Sequence, residues 1–362
     1  MQPNSIKNIQ GYLDEHSLDA FLVLTKLNRQ YVSGFTGSMG AVLVTKRGAE
    51  LYVDDRYTIR AKRQSPLLVK SIKKLSTSPG LRPPSPGLGR GWGRGRIGIE
   101  DKISLKEFSR LKKDFKSVKW EVTSNVIENL RAVKTPQEIK YIRKAQAILD
   151  KIFVTVKKMS LPGMTELALS QKMRDWAVRF GAGGMAFESI VAFGPNAAAP
   201  HHLSGRQKIK RGNFLLLDFG VLVNGYHSDF TRTFFIGTPT RRQETVYNTV
   251  LEAQQRGIEK ATAGNPAVLI DEAARGHIKR AGFGKYFTHN TGHGVGLEIH
   301  ELPNFSATSE DILRPNMVVT VEPGIYIENW GGVRIEDMVL VKNLGNEVLP
   351  KPPKDFKSMI IK

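Results

Sequence analysis

Phe214-Leu-Leu-Leu-Asp218-Phe-Gly-Val-Leu-Val-Asn224-Gly225-Tyr-His-Ser-Asp229-Phe-Thr-Arg-Thr-Phe234 is the stretch on which the reading of this chain turns. Two strand-like apolar runs flank Asn224-Gly225, a dipeptide favoured in two-residue hairpin turns because both positions need positive φ. Such a turn sets the register, with Asp218 opposite Thr231 and Asp229 opposite Gly220. Side chains alternate along a strand, so the two aspartates share one face as diagonal neighbours, roughly 7–8 Å apart at the backbone. Two acids so placed repel each other unless a cation neutralises them. The plainer alternative is a pair of solvated carboxylates on an open sheet face, and the apolar run Phe214–Leu217 argues against it.

Further acids and imidazoles follow downstream. Thr291-Gly-His293-Gly-Val-Gly-Leu-Glu-Ile-His300-Glu301 places two histidines in a glycine-rich stretch, and Val318-Val-Thr-Val-Glu322-Pro-Gly ends an apolar run on an acid. Gly331-Gly-Val-Arg334-Ile-Glu336-Asp-Met-Val-Leu-Val341 reads as a strand with Arg334 and Glu336 on one face. Each signal alone has an ordinary structural explanation. Together they give two Asp, one His and two Glu at strand ends or glycine-rich turns.

Upstream, Thr135-Pro-Gln-Glu138 combines an N-cap threonine, a first-turn proline and a glutamate three residues after the cap. A helix with Ile139, Ile142, Ala145 and Ile148 on its apolar face is expected to begin near 136. Before it, Ala20–Leu24, Ala41–Thr45 and Glu50–Asp54 read as buried strands of an α/β unit. The glycine-rich loop Ser33–Gly40 lacks the Lys-Ser/Thr ending of a phosphate cradle. Residues 78–96, dense in Pro, Gly and Arg, read as an exposed loop.

Composition sets the limits. At 362 residues the chain has room for two domains, and 40% hydrophobic residues supply a core. Cysteine is absent, so any metal site must use His, Asp and Glu. The N-terminus lacks the succession of a secretory signal, and no apolar run reaches a membrane span, so the expectation is a cytoplasmic protein. The net charge of +20 is concentrated in residues 56–120, which carry 18 Lys/Arg against 4 Asp/Glu. No zinc knuckle or aromatic RNA-binding signature accompanies it, so it reads as a solvated basic surface and not as a nucleic-acid site.

The series Asp218, Asp229, His293, Glu322 and Glu336, spaced by 11, 64, 29 and 14 residues, resembles the ligand pattern of the pita-bread metallopeptidases. On that resemblance Asp218 binds one metal, Asp229 and Glu336 bridge two, and His293 and Glu322 bind the other. Phe187–His202 resembles the stretch that carries a substrate-contacting histidine in prolidases and aminopeptidases P, with His201 at its position. His289, His300 and Arg334 match further active-site positions of that branch. Tyr31-Val-Ser-Gly-Phe-Thr-Gly and Asp54-Asp-Arg-Tyr57 resemble the creatinase-type domain that precedes the catalytic fold.

The resemblance implies an α+β chain, with a creatinase-like N-terminal domain at 1–127 and a pita-bread domain at 128–362. It also implies a homodimer and a dinuclear centre, with Mn²⁺ favoured by the hard donors and Co²⁺ or Zn²⁺ open. The expected reaction is cleavage between an N-terminal residue and a following proline. Glu322 would handle the proton, His300 and His201 would face the scissile carbonyl, and His289, Asn304 and Arg334 would complete the substrate site. In some prolidases an arginine grips the dipeptide carboxylate. Asn304 stands there instead, which points to an aminopeptidase, with Xaa-Pro dipeptidase as the alternative. A binding module with decayed ligands is the third reading, and five intact ligand positions argue against it.

Overall fold

The computed structural model describes residues 4–78, 81 and 95–362. Most of the stretch 78–96, read above as an exposed loop, therefore lies outside the described residues. The chain divides into two compact units, Met1–Arg131 and Ala132–Lys362, where the sequence reading set the division at 127/128.

The first unit is built on a six-stranded mixed sheet. Its order is Leu68–Ser71, Gly48–Val53, Ala41–Thr45, Ala20–Val23, Gly95–Glu100 and Val118–Thr123. The three strands read from sequence are all present, and Ala20, Leu22, Leu43, Ile97 and Ile99 pack in the core beneath the sheet's helices. Helix Lys26–Ser33 gets no side-chain cap from its own N-cap, Thr25. The carboxylate of Glu100, at the end of a neighbouring strand, instead anchors the turn that leads into the helix. It accepts from the amides of Leu24 (2.6 Å) and Thr25 (2.9 Å), from Thr25 Oγ1 and from Asn28 Nδ2. In the glycine-rich loop the carbonyls of Gly37 and Gly40 turn onto the buried guanidinium of Arg29. The loop therefore presents oxygens to a cation and forms no anion cradle.

The second unit opens with helix Pro136–Lys157, capped reciprocally by Thr135 and Glu138, with Pro136 in the first turn. Ile142, Ala145, Ile148 and Ile152 are buried, while Ile139 is only half-buried. Glu138, read as a cap alone, is itself buried and accepts a hydrogen bond from Tyr226 (2.7 Å). Ile360–Ile361, Thr231–Ile236, Asn213–Asp218 and Ile190–Phe193 form a four-stranded sheet. A five-stranded sheet runs Glu301–Phe305, Gly292–Gly294, Val318–Val321, Asp337–Val341 and Asn346–Val348. Helices Arg241–Lys260 and Val268–Arg280 pack on each other, and an aromatic core of Phe153, Phe214, Phe230, Phe234 and Phe235 closes the interior. Burial of each such ring is worth about 1.5–3 kcal/mol. Among the described residues no helix is long and apolar enough to cross a membrane.

Candidate metal centre

Asn224 and Gly225 both have positive φ, 51° and 84°, and the hairpin takes the register expected of that turn. Leu222 pairs with His227 and Thr231 with Asp218. Between these ladders the strands loosen, but Phe219 N to Phe230 O (3.1 Å) and Ser228 N to Val221 O (3.0 Å) carry the register through. Asp218 and Asp229 are thereby delivered, both buried, to one cavity.

His293 sits between two glycines because the backbone there touches its neighbours. A Cβ on Gly292 would lie 2.1 Å from Thr320 O, and one on Gly294 2.1 Å from Leu302 O. The His293 Nδ1–H donates to Gly294 O (3.0 Å), which leaves Nε2 for the centre. That Nε2 is 3.2 Å from Glu322 Oε1 and 3.7 Å from Asp229 Oδ2. Glu336 does not share a strand with Arg334 as the sequence suggested. The strand Gly331–Arg334 ends there, the next begins at Asp337, and Glu336 lies in the break. Its amide donates to Thr231 O (3.2 Å), and its Oε2 accepts from Thr231 Oγ1 (2.6 Å).

The donor atoms of Asp229, His293 and Glu336 all lie within 4.8 Å of one another. Asp218 and Glu322 line the same cavity of about 550 Å³, as do His201, His289, His300, Asn304 and Arg334. All ten residues singled out in the sequence thus meet in one place. Arg334 is committed to the acids. Its NH2 group donates to Asp218 Oδ2 (2.5 Å) and its NH1 group to Tyr326 Oη (2.7 Å). Tyr326 in turn meets His289 Nε2 at 2.8 Å.

The electrostatics are those of an under-neutralised acid cluster. Burial, then the charge of Asp218, pushes the Asp229 carboxyl well above its ordinary range. Burial and the charges of Asp229, Glu322 and Asp218 do the same to Glu336. Asp218 is also raised by burial, although Arg334 opposes the shift. Burial disfavours a charged His293, but the hydrogen bond and charge of Glu322, with Asp229, outweigh it and raise the imidazole to about 9. Glu322, which burial would raise, is brought down to about 2 by His293. Asp218 Oδ1 and Glu336 Oε1 are buried with no hydrogen-bond partner. Two orphaned carboxylate oxygens in a cavity where the donor atoms of Asp229, His293 and Glu336 converge are what a hard divalent cation requires, so the donor set fits a metal.

A Metallopeptidase family M24 domain matches residues 140–343, and a Creatinase/Prolidase N-terminal domain matches residues 6–133. The chain belongs to metallopeptidase family M24. This M24 peptidase is 36% identical to a Xaa-Pro dipeptidase of Pyrococcus horikoshii over 97% of its own length and 98% of the relative's. Its fold matches the crystal structure of the prolidase from Pyrococcus horikoshii with a TM-score of 0.88 at 35% identity, covering 98% of this chain and 99% of that one. It also matches an X-Pro aminopeptidase from Thermotoga maritima with a TM-score of 0.86 at 32% identity, covering 98% and 99%. The M24 peptidase is accordingly an α+β chain with a creatinase-type domain ahead of a pita-bread catalytic domain. Membership of a metallopeptidase family implies divalent metal ions for the acid cluster.

Four participants escaped the sequence reading. Thr231 and Tyr326 hold Glu336 and Arg334; Thr231 stands on the strand Thr231–Ile236, and Tyr326 on Gly324–Ile327, a strand the sequence reading did not single out. His202 lines the cavity beside His201 and was passed over for its neighbour, and its partner Glu166 lies on the helix Glu166–Arg179. Only the His201-His202 doublet carried a local signal.

Proposed function

We propose that this M24 metallopeptidase is a Xaa-Pro dipeptidase, hydrolysing the bond between a residue and a C-terminal proline. The observation that carries the reading is two buried, orphaned carboxylate oxygens, Asp218 Oδ1 and Glu336 Oε1, on a cavity of about 550 Å³ that Asp229, His293 and Glu322 also line. The relatives named Xaa-Pro dipeptidase, similar along nearly the whole chain, favour the shorter substrate. The lean toward longer peptides, which rested on Asn304 alone, gives way to them.

Asp218 would hold one ion, Asp229 and Glu336 would span two, and His293 with Glu322 would hold the second. Divalent ions, Mn²⁺ by the hardness of the donors, would supply Lewis acidity and lower the pKa of the attacking water. Glu322 would take that water's proton and pass it to the proline nitrogen as the C–N bond breaks. The proton is needed there because a tertiary amide leaves as a basic secondary amine. Burial lowers the pKa of His300 and so favours its neutral form, which still offers an N–H. With His201 it would steady the negative charge that develops on the carbonyl oxygen. His289, also lowered by burial, is fixed by Tyr326 and shapes the wall.

The test is to strip the metal with chelator, restore Mn²⁺, and compare kcat/KM on Xaa-Pro and Xaa-Pro-Yaa. A preference for Xaa-Pro supports the dipeptidase. Equal or better turnover of the tripeptide would return the aminopeptidase reading.

A further inference from the structure

A dipeptidase must hold the substrate's terminal carboxylate, and the cavity has few free cations for that task. Among the described residues six basic side chains line it: His201, His202, His289, His293, His300 and Arg334. Arg334 is spent on Asp218 and Tyr326. His289 has Nδ1 on Asn290 O (2.7 Å) and Nε2 on Tyr326 Oη. His293 belongs to the acid cluster, and His300 packs edge-on against it with ring centroids 4.3 Å apart. His201 and His202 remain.

These two differ in what stands behind them. His201 is exposed, while His202 is half-buried with its Nε2 2.9 Å from Glu166 Oε2. Glu166 is wholly buried at the start of helix Glu166–Arg179. It also accepts from Phe193 N (2.8 Å), Asn196 Nδ2 (2.9 Å) and Gly205 N (3.0 Å). Four donors and a helix N-terminus replace the water that a carboxylate loses on burial. The same bonds pin both ends of the loop that carries the histidine pair. With Nε2–H given to Glu166, Nδ1 is the nitrogen left for a ligand. A substrate carboxylate at that nitrogen would leave the ring bracketed by two carboxylates, Glu166 behind and the substrate's in front, with both ring nitrogens donating.

Resting on the dipeptidase reading, we propose that His202, backed by Glu166, is the receptor for the dipeptide's terminal carboxylate. His202 thereby takes the part that an arginine at position 304 would play, and Glu166 acts as a positioning residue through it. This is why Asn304 need not exclude a dipeptide.

The experiment compares Xaa-Pro with its amide, Xaa-Pro-NH₂, on the Mn²⁺-loaded enzyme. His202→Asn should raise KM for Xaa-Pro roughly 10- to 100-fold, the worth of one charge-assisted hydrogen bond, with kcat little changed. The amide, which has no carboxylate, should keep its KM and so report an intact fold. His202→Arg should recover most of the dipeptide affinity. Glu166→Gln should shift KM the same way as His202→Asn, again on the dipeptide only. Equal losses on both substrates, or none on either, would overturn the assignment while leaving the dipeptidase reading in place. A wild type that prefers Xaa-Pro-Yaa would overturn that reading and this one with it.

Discussion

Glu336 and Asp337 are consecutive and both buried, yet their surroundings are opposite. Asp337 points away from the cavity into a saturated network. Arg232 NH2 (2.6 Å), Lys354 Nζ (2.5 Å) and Gln254 Nε2 (2.9 Å) all donate to it. Burial would raise its carboxyl, but the two cations outweigh that and bring it down to about 2. Glu336 has one donor, Thr231 Oγ1, and a second oxygen with none. Burial and the neighbouring acids push it far the other way. A buried charge that is fully met belongs to the architecture, and one left short marks where something else must bind. Arg232 ties the two regions together, since its NH1 group also donates to the carbonyls of Thr231 and Glu336. The satisfied network holds in place the strand break that presents the unsatisfied acid.

The comparison is sharpest in a crossed pair of substitutions. Glu336→Gln should cost more activity than the roughly 10–100-fold typical of losing an outer partner of a metal ligand. It should also raise the melting temperature of the metal-free protein, because one repelling charge is gone. Asp337→Asn should instead destabilise the fold by about 3–5 kcal/mol, leaving Arg232 and Lys354 without their anion. Thermal melts with chelator, read beside steady-state rates, separate the two. Melting shifts of the same sign in both variants would erase the distinction.

That distinction was only half legible in the sequence. The hairpin register could be read because Asn224-Gly225 fixes it locally, and the Thr135-Pro136-Glu138 start of a helix is likewise complete within four residues. The five acids and imidazoles could be grouped because their order and spacing resemble a known series. Nothing local announced the partners that hold them. Arg232 and Asp337 are 105 residues apart, Glu100 accepts from the Leu24 amide across 76, and Glu166 reaches His202 across 36. Each pairing is made by the fold, and the residues on either side of it carry no pattern of their own. The strand expected through Arg334 and Glu336 failed for a related reason. Beyond the break Glu336 bridges to Thr231 on another sheet, a partner 105 residues away.

A second contrast lies in pH. Asp229 and Glu336 have folded values above their ordinary ones. Their contribution to stability is complete below the usual carboxylate range, about 4, and is lost as pH rises through the raised values. Asp337 runs the other way, its contribution present above 3.8 and lost as pH falls toward 2. Metal-free protein should therefore lose stability toward neutral pH, and saturating Mn²⁺ should remove that loss, since binding stabilises the folded form by mass action. Identical melting-versus-pH curves with and without Mn²⁺ would mean that the acids are neutralised by something in the chain itself.

The smallest effect is expected at Asn304. Its side chain lines the cavity, paired in register with His293. If His202 already receives the carboxylate, Asn304→Arg should improve kcat/KM on Xaa-Pro by less than roughly tenfold, the lower end of one charged hydrogen bond. A larger gain would assign the carboxylate to position 304.

The proposed function makes Xaa-Pro hydrolysis depend on divalent metal held by the unsatisfied acids. Its most direct test is a titration of chelator-treated protein with Mn²⁺, following bound metal and Xaa-Pro turnover together in wild type and Glu336→Gln. Activity should rise from nothing in step with occupancy, reach its plateau as two ions bind per chain, and fail to appear in the variant. Full Xaa-Pro turnover by wild-type protein shown to hold no metal, or by Glu336→Gln, would contradict the claim.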